Sequence, residues 1–205
     1  MTQPLRERLR ETMVAEILRA AEEIFAEQGL HEAKMGDIAQ RAGVAVGTLY
    51  NHFEDREALL AELLEARRQE LLAAIDERLA ALSEDGFEPR LRGLLLAMLT
   101  HMQTHARFFN ILMQGEPARW KTTASSAGRG PRKTIEQLLA RLSHVIDEGV
   151  RVGRVRPALA ELGPVMLFGM VKSVTMRAHA RGKTGELLTL VEPLLDFFLH
   201  GAAAR

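Results

Sequence analysis

Three features of the sequence predict an all-α fold of about nine helices. Ala, Leu, Glu and Arg, which favour helices, dominate the 205 residues. Aromatic residues make up only 5% of the chain and β-branched residues are sparse, which argues against β-strands. Apolar residues also recur along most of the chain at the spacing of amphipathic helices.

The N-terminal part predicts three helices separated by glycine. Residues 5–28 carry apolar side chains at helical spacing, and Gly29 is suited to the left-handed conformation that ends many helices. A polar connector leads to a second helix at residues 35–42, which Gly43 ends. A short third helix is predicted at residues 46–52.

The rest of the chain predicts a longer series of helices. The fourth helix follows Asp55, a suitable N-cap, and continues to residue 82. A fifth helix holds Pro89 in its first turn and continues to residue 106. A loop rich in Gly, Pro, Ser and Thr is predicted at residues 115–131, and further helices at residues 107–113, 132–152, 159–180 and 185–202.

Composition excludes several classes of protein. Hydrophobic residues make up 47% and charged residues 26%, an ordinary globular balance. The chain has no cysteine, so disulfide and thiolate chemistry are excluded. The charged N-terminus does not have the apolar core of a signal peptide, and the longest apolar stretch is too short to span a bilayer. We therefore expect a soluble, cytoplasmic protein.

Residues 37–53 have the pattern of a helix-turn-helix. A small residue, Ala39, stands where the two helices would cross, and Gly43 can take the positive φ that the turn needs. The short helix that follows suits a major groove about 12 Å wide. The residues predicted to form the core of the motif are Ile38, Ala39, Gly43, Val44, Leu49 and Phe53.

Three stretches carry a more specific pattern. They are ILRAAEEIFAEQG at residues 17–29, DIAQRAGVAVGTLYNHF at residues 37–53 and DREAL at residues 55–59. Together they resemble the TetR family of transcriptional repressors. The resemblance implies a DNA-binding domain at residues 1–54, an effector-binding and dimerisation domain at residues 55–205, and a homodimer released from a palindromic operator by a small molecule.

The same resemblance implies DNA contacts for individual residues. Lys34, Ala45 and Val46 stand where the family usually has Thr, Ser and a basic residue. Residues 1–60 hold seven basic and eleven acidic side chains, a net charge of −4, so we expect weak electrostatic attraction and a shallow salt dependence. The base-reading residues would be Val46, Gly47, Thr48 and Asn51, and the phosphate-contacting positions Lys34, Ala45, Tyr50, His52 and Arg56.

The last two predicted helices are apolar almost all round, which indicates burial on both sides. One side can face the core of the body, and the other needs a partner. In the family the last two helices form a two-fold dimer interface, which matches a two-fold operator. The predicted interface residues are Phe168, Val171, Thr175, Leu188, Val191, Leu195 and Phe198.

Methionine and phenylalanine side chains of the body could line a pocket for an apolar or amphipathic effector, although each could instead be a core residue. The predicted pocket residues are Met98, His101, Met102, His105, Phe108, Phe109, Met113, His144, Met166 and Met170.

Two of these residues suggest a competing function. His101 and His105 are four residues apart on one helix, a spacing that can bind a metal. The alternative is therefore a helical-bundle metal sensor or metalloenzyme. No acid joins them in the motif, so we expect them to contact an effector and expect no metal and no cofactor. We also find no nucleophile motif and expect no catalytic residues and no enzyme activity.

Overall fold

The computed structural model describes residues 5–109 and 130–202, and these residues form helices without any strand. The predicted all-α fold is confirmed. The chain forms two compact units, and the boundary between them at residues 67 and 68 lies within one long helix. The first unit holds residues 5–67 with 107–109, and the second holds residues 68–106 with 130–202. None of the helices described is long and apolar enough to cross a bilayer.

The first unit is built from α1 (Leu5–Gln28), α2 (Met35–Ala42), α3 (Val46–His52) and the start of α4 (Arg56–Ala81). Its helices end and begin as the sequence predicts. Gly29 and Gly43 have φ of 89° and 69°, and the carboxylate of Asp55 accepts a hydrogen bond of 2.7 Å from the N–H of Ala58. The buried apolar core includes Ile17, Phe25, Ile38, Leu49 and Leu59.

The second unit contains the rest of α4 with α5 (Phe87–Thr104), α6 (Gly130–Arg151), α7 (Leu162–Ala180) and α8 (Val191–Ala202). Bulky aliphatic residues fill its core, because α5 places apolar side chains on most of its circumference. Ion pairs between helices border this core. Arg141 on α6 reaches Asp76 on α4, and Arg92 on α5 reaches Glu192 on α8 at 2.7 Å.

Two predicted helices near the C-terminus differ from the structure. The helix predicted at 159–180 begins at Leu162, after a separate 3₁₀ turn at Pro157–Leu159. The helix predicted at 185–202 is a 3₁₀ segment, Thr184–Leu190, followed by α8. Pro193 explains the change. In a continuous α-helix its ring would clash with the carbonyl of Thr189, and proline has no backbone N–H to donate to that carbonyl.

The middle of the chain is described only in part. Residues 106–109 are helical, as the helix predicted at 107–113 requires, but residues 110–113 lie outside the described residues. Most of the loop predicted at 115–131 also lies outside them, and its last two residues belong to α6.

A close approach at Gly149 generates a prediction about stability. A Cβ atom there would lie 2.5 Å from the ring of Phe87 and 2.8 Å from Val155, so the neighbours must move. We expect Gly149→Ala to lower the free energy of unfolding by about 1–3 kcal/mol through overpacking. Denaturant unfolding measures this change. Gly36→Ala is the control, since its Cβ meets no atom within 4 Å and it should not destabilise the protein; equal losses would contradict the steric explanation.

Candidate nucleic-acid interface

The turn between α2 and α3 is a left-handed helix stop. Gly43 has φ 69° and ψ 27°, and its N–H donates to the carbonyl of Gln40 at 3.2 Å. The next residue, Val44, donates its N–H to the carbonyl of Ala39 at 3.0 Å. These two bonds satisfy carbonyls at the end of α2 and turn the chain sharply into α3.

The predicted core residues of the motif lie beneath this turn. Ile38, Ala39 and Leu49 are completely buried, Phe53 is buried and Val44 is partly buried. Ala39 has no side chain beyond Cβ, so it leaves room where α2 and α3 meet. The remaining member, Gly43, is exposed and contributes its conformation instead of packing.

The predicted base-reading residues lie on the outer surface of α3. Val46 is 45% exposed, Gly47 and Asn51 are exposed, and Thr48 is half-buried. On the same short helix Leu49 points into the core, so the exposed residues occupy the opposite side. This side offers small polar and apolar groups that are suited to base edges.

Four of the predicted phosphate-contacting positions are also accessible. Lys34 and Ala45 are exposed, Tyr50 is 51% exposed and His52 is half-buried. Lys34 and Ala45 are the N-cap residues of α2 and α3, and neither makes a side-chain hydrogen bond to its helix. The helix N-termini therefore present backbone N–H groups, which suit anions.

Arg56 has a different environment from the other predicted phosphate contacts. Its guanidinium donates to the backbone carbonyl of His31 and, at 2.8 Å, to the carboxylate of Glu57. The hydrogen bond from Arg56 holds the pKa of Glu57 below its ordinary value. Arg56 thus joins the first turn of α4 to the segment before α2.

Ion pairs between helices involve three acidic side chains of the first unit, Glu22, Glu23 and Glu27. Arg41 on α2 bonds to Glu23 and Glu27 on α1, at 2.9 and 2.8 Å, and this hydrogen bonding lowers the pKa of Glu27. Arg67 on α4 bonds to Glu22 at 2.6 Å. Sequence reasoning missed these pairs, because partners 14 or more residues apart show no local spacing.

The residues predicted for the dimer interface lie in two environments. Five of them are buried within their own unit: Val171, Thr175, Val191, Leu195 and Phe198. They pack there because core-facing positions recur every three or four residues. Of the others, Phe168 is partly buried against this core and Leu188 is exposed.

A different apolar surface of α7 and α8 is exposed. Its largest side chains are those of Leu162, Val165, Met166, Met176 and Phe197, the last of which is 69% exposed. Beside them a groove of about 540 Å³ is lined by residues that include Gly169, Met170, Val174 and Phe197. We name this combined area the α7–α8 surface; exposed apolar side chains grouped in this way are typical of interaction surfaces.

The predicted effector-pocket residues lie in several places. Met98 and His101 are buried in the second unit, Met102 and Met170 pack at the border of its core, and Met166 is exposed on the α7–α8 surface.

The aromatic members of that prediction belong to the first unit. Phe108 is buried in the core of the first unit, and the ring of Phe109 lies 5.8 Å from that of Phe108. His144 lines a separate cavity of about 430 Å³ between α4, α5 and α6, and Met113 lies outside the described residues.

His105, the remaining member, is half-buried at the end of α5, beside His101. An acid that the sequence did not connect with them, Glu70 on α4, lies 3.5 Å from Nε2 of His105. Three potential ligands are therefore close together in the second unit.

Comparisons with known proteins agree with this architecture. Residues 17–63 match the family model described as bacterial regulatory proteins, tetR family. The HTH-type transcriptional repressor KstR2 of Mycobacterium tuberculosis is 30% identical over 146 residues, 70% of either chain. The fatty acid metabolism regulator protein of Bacillus subtilis is 22% identical over 191 residues, 91% of this chain and 93% of that protein.

A solved structure has the same fold. The crystal structure of FadR from Bacillus subtilis in complex with stearoyl-CoA superposes with a TM-score of 0.75 at 20% identity, over 91% of this chain and 98% of that one.

The missing cap of α3 generates a prediction. Ala45 has the extended backbone of an N-cap, with φ −65° and ψ 144°, but no oxygen to accept the free N–H groups. We expect Ala45→Ser to raise the free energy of unfolding by about 1 kcal/mol, measured by denaturant unfolding. Ala15→Ser, at an exposed position within α1, is the control and should lower it by about 0.5 kcal/mol. A loss at both positions would show that no cap forms.

Proposed function

The chain belongs to the TetR family of bacterial regulatory proteins, and we propose that it acts as a repressor whose α3 reads operator bases in the major groove. It is a DNA-binding transcriptional regulator, and its family consists of regulators of this kind. The observation that carries the proposal is the exposed side of α3, held over buried Leu49 and Ile38 by the turn at Gly43. We place its action in the cytoplasm, where operator DNA is found.

We assign two kinds of DNA contact to this surface. Val46, Gly47, Thr48 and Asn51 contact base edges, and the isopropyl group of Val46 suits a thymine methyl. Tyr50 is exposed on α3 beside them and donates to a phosphate oxygen. The phosphate contact orients the protein on DNA and the base contacts specify the sequence, while net charge contributes little to affinity.

Arg56 takes a structural part in this proposal. Because its guanidinium already bonds to His31 and Glu57, a phosphate contact would have to replace one of those bonds. We assign it to holding the start of α4 against the head, with its positive charge only partly available to DNA. The N-terminal residues 1–54 would then act on DNA together with the first turns of α4.

Regulators of this family act as dimers, and we propose that the α7–α8 surface meets its counterpart in a second copy. Its exposed apolar side chains, with the groove beside Phe197, suit an interface from which water is excluded. A two-fold dimer presents two copies of α3 to half-sites about 34–36 Å apart, or a multiple of that distance. The operator is therefore palindromic.

Charged and neutral DNA contacts should differ in their effect on the salt dependence of binding. Selection of bound fragments from genomic DNA first supplies the operator. Lys34→Gln should reduce the slope of log affinity against log salt by about 0.9 for each bound head, since one phosphate contact is lost. Tyr50→Phe should weaken binding about 2- to 12-fold for each bound head and leave the slope unchanged, because one neutral hydrogen bond is lost in each head. Fluorescence anisotropy at several salt concentrations measures both.

Lys183→Gln is the matched control for Lys34→Gln. It removes the same charge from an exposed lysine of the second unit, where it pairs with Glu186. Its salt slope and affinity should equal those of the wild type. A slope that changes as much as in Lys34→Gln would mean that net charge alone is responsible. A steep slope in the wild type would contradict the weak electrostatic contribution.

We propose an amphipathic effector with a long acyl chain, such as a fatty acyl-CoA. The comparisons support this class, since one relative is a fatty acid metabolism regulator and a structural neighbour was solved with stearoyl-CoA. Met98 and Met102 on α5 offer flexible apolar side chains beside the polar groups of His101 and His105. Thioether side chains repack around an inserted chain more easily than branched ones.

Release from DNA follows as a population shift. Helix α4 starts in the first unit and ends in the second, so it is the element through which an effector can act. An effector that binds better to the conformation with a changed separation of the two heads weakens operator binding by its difference in affinity. A coupling of about 1–3 kcal/mol gives useful induction.

The effector class generates its own prediction. Stearoyl-CoA, below its micellar concentration, should weaken operator binding about 5- to 150-fold in an anisotropy assay. CoA without an acyl chain is the control and should leave affinity unchanged, because it has no apolar chain to bury. If stearoyl-CoA changes neither operator affinity nor the unfolding temperature, the effector class is wrong, whereas the assignment of α3 to DNA is unaffected.

A further inference from the structure

Three side chains of the second unit bring nitrogen and oxygen donors together. Glu70 lies on α4, and His101 and His105 belong to α5 and its C-cap. One donor atom from each lies within 4.8 Å of the other two, and Oε2 of Glu70 is 3.5 Å from Nε2 of His105. The two imidazole centroids are 4.7 Å apart.

Helical geometry explains why the two histidines point the same way. Residues four apart lie above one another on a helix. The backbone N–H of His105 donates to the carbonyl of His101 at 3.2 Å, so the helical spacing extends to the C-cap although α5 itself ends at Thr104. Glu70 lies on α4, so its carboxylate approaches the two imidazoles from a second helix.

The donor set suits a particular class of metal. Two imidazoles and one carboxylate bind Zn²⁺ and similar divalent transition metals, whereas Mg²⁺ and Ca²⁺ prefer oxygen alone. Zn–N bonds of about 2.0–2.1 Å in a tetrahedron separate ligand atoms by about 3.4 Å. The pair of Glu70 and His105 already has this separation, and side-chain rotation can close the rest.

Burial around the three residues suits an open site. His101 is only 8% exposed, which limits its movement, and the side chain of His105 is 13% exposed. The side chain of Glu70 is 49% exposed, so solvent reaches one side and can supply a fourth ligand. Three protein ligands with water in the fourth position are an established coordination of Zn²⁺ in proteins.

From this arrangement we propose that Glu70, His101 and His105 form a binding site for a divalent transition metal, with Zn²⁺ as its best representative. The bound ion joins α4 to the end of α5. It binds the folded chain, so it stabilises the second unit in proportion to its concentration. The site uses His101 and His105, which also border the proposed effector site, so zinc binding is measured without effector and without DNA.

Isothermal titration of the tag-free, full-length protein with zinc chloride tests the proposal, in the absence of DNA. We expect one Zn²⁺ per chain and a rise in unfolding temperature. Cobalt chloride should give the visible absorption of four-coordinate Co²⁺. Glu70→Gln and His105→Gln should each weaken zinc binding at least about tenfold. Because Glu70 is largely exposed, Glu70→Gln can be tested even if a histidine variant unfolds.

Two matched controls use similar side chains elsewhere. Glu77→Gln changes another exposed acid of α4, and His200→Gln changes the histidine that pairs with Asp196 on α8. Both should bind zinc as the wild type does. The proposal is overturned if no stoichiometric binding occurs, or if Glu70→Gln and His105→Gln bind zinc as tightly as the controls. In that case His105 and Glu70 form only an ion pair, and the assignment of α3 to DNA still stands.

Discussion

Burial of Leu49 beneath α3 is the contact on which the surface proposed to face DNA depends. Helix α3 has seven residues and no side-chain cap, and isolated helices shorter than about 12–15 residues are marginal in water. Its shape and direction must therefore come from tertiary packing. Leu49 and Phe53 supply it from α3, while the positive φ of Gly43 sets the angle at which α3 leaves α2. Small changes in these contacts would move together all the side chains that we propose to read bases.

Several charged side chains of the first unit form ion pairs between its own helices. The pairs of Arg41 with Glu23 and Glu27, and of Arg67 with Glu22, tie α2 and α4 to α1. The two pairs of Arg41 are partly exposed, so each contributes modestly to stability, whereas the pair of Arg67 and Glu22 is mostly buried. They nevertheless engage basic groups that could otherwise contact DNA. This is why the proposed function assigns discrimination to base contacts more than to electrostatic attraction.

The body shows how one helix can serve two surfaces. Helix α7 buries Leu167 and Val171 in its own core and exposes Val165 and Met166 on the α7–α8 surface. The nearly continuous apolar sequence of α7 indicates that two of its sides contact apolar surfaces. It does not show which residues face the core and which face outward. At the end of α5 the same unit brings His101 and His105 to an acid of α4, so polar chemistry is available beside the apolar interior.

Local sequence signals were enough to predict most of the helices of this protein and the ends of those in the first unit. Helical periodicity, Gly29, Gly43 and Asp55 determined the elements of the head and their ends, because caps and turns depend on neighbouring residues. The motif at residues 37–53 predicted the family, which the comparisons confirm, and supplied the residues that we propose to face DNA. The 3₁₀ break before Pro193 was missed, although a proline within the predicted helix was a readable sign.

Other features were decided only by the tertiary structure. The inward side of α7 and α8, the place of Phe108 in the first core and the approach of Glu70 to His105 all depend on which helices become neighbours. Such contacts join residues far apart in the chain, and no local spacing encodes them. The sequence by itself therefore determined where the helices are and what the head does. Packing decided which faces they share, because burial of a side chain is a property of its neighbours in space.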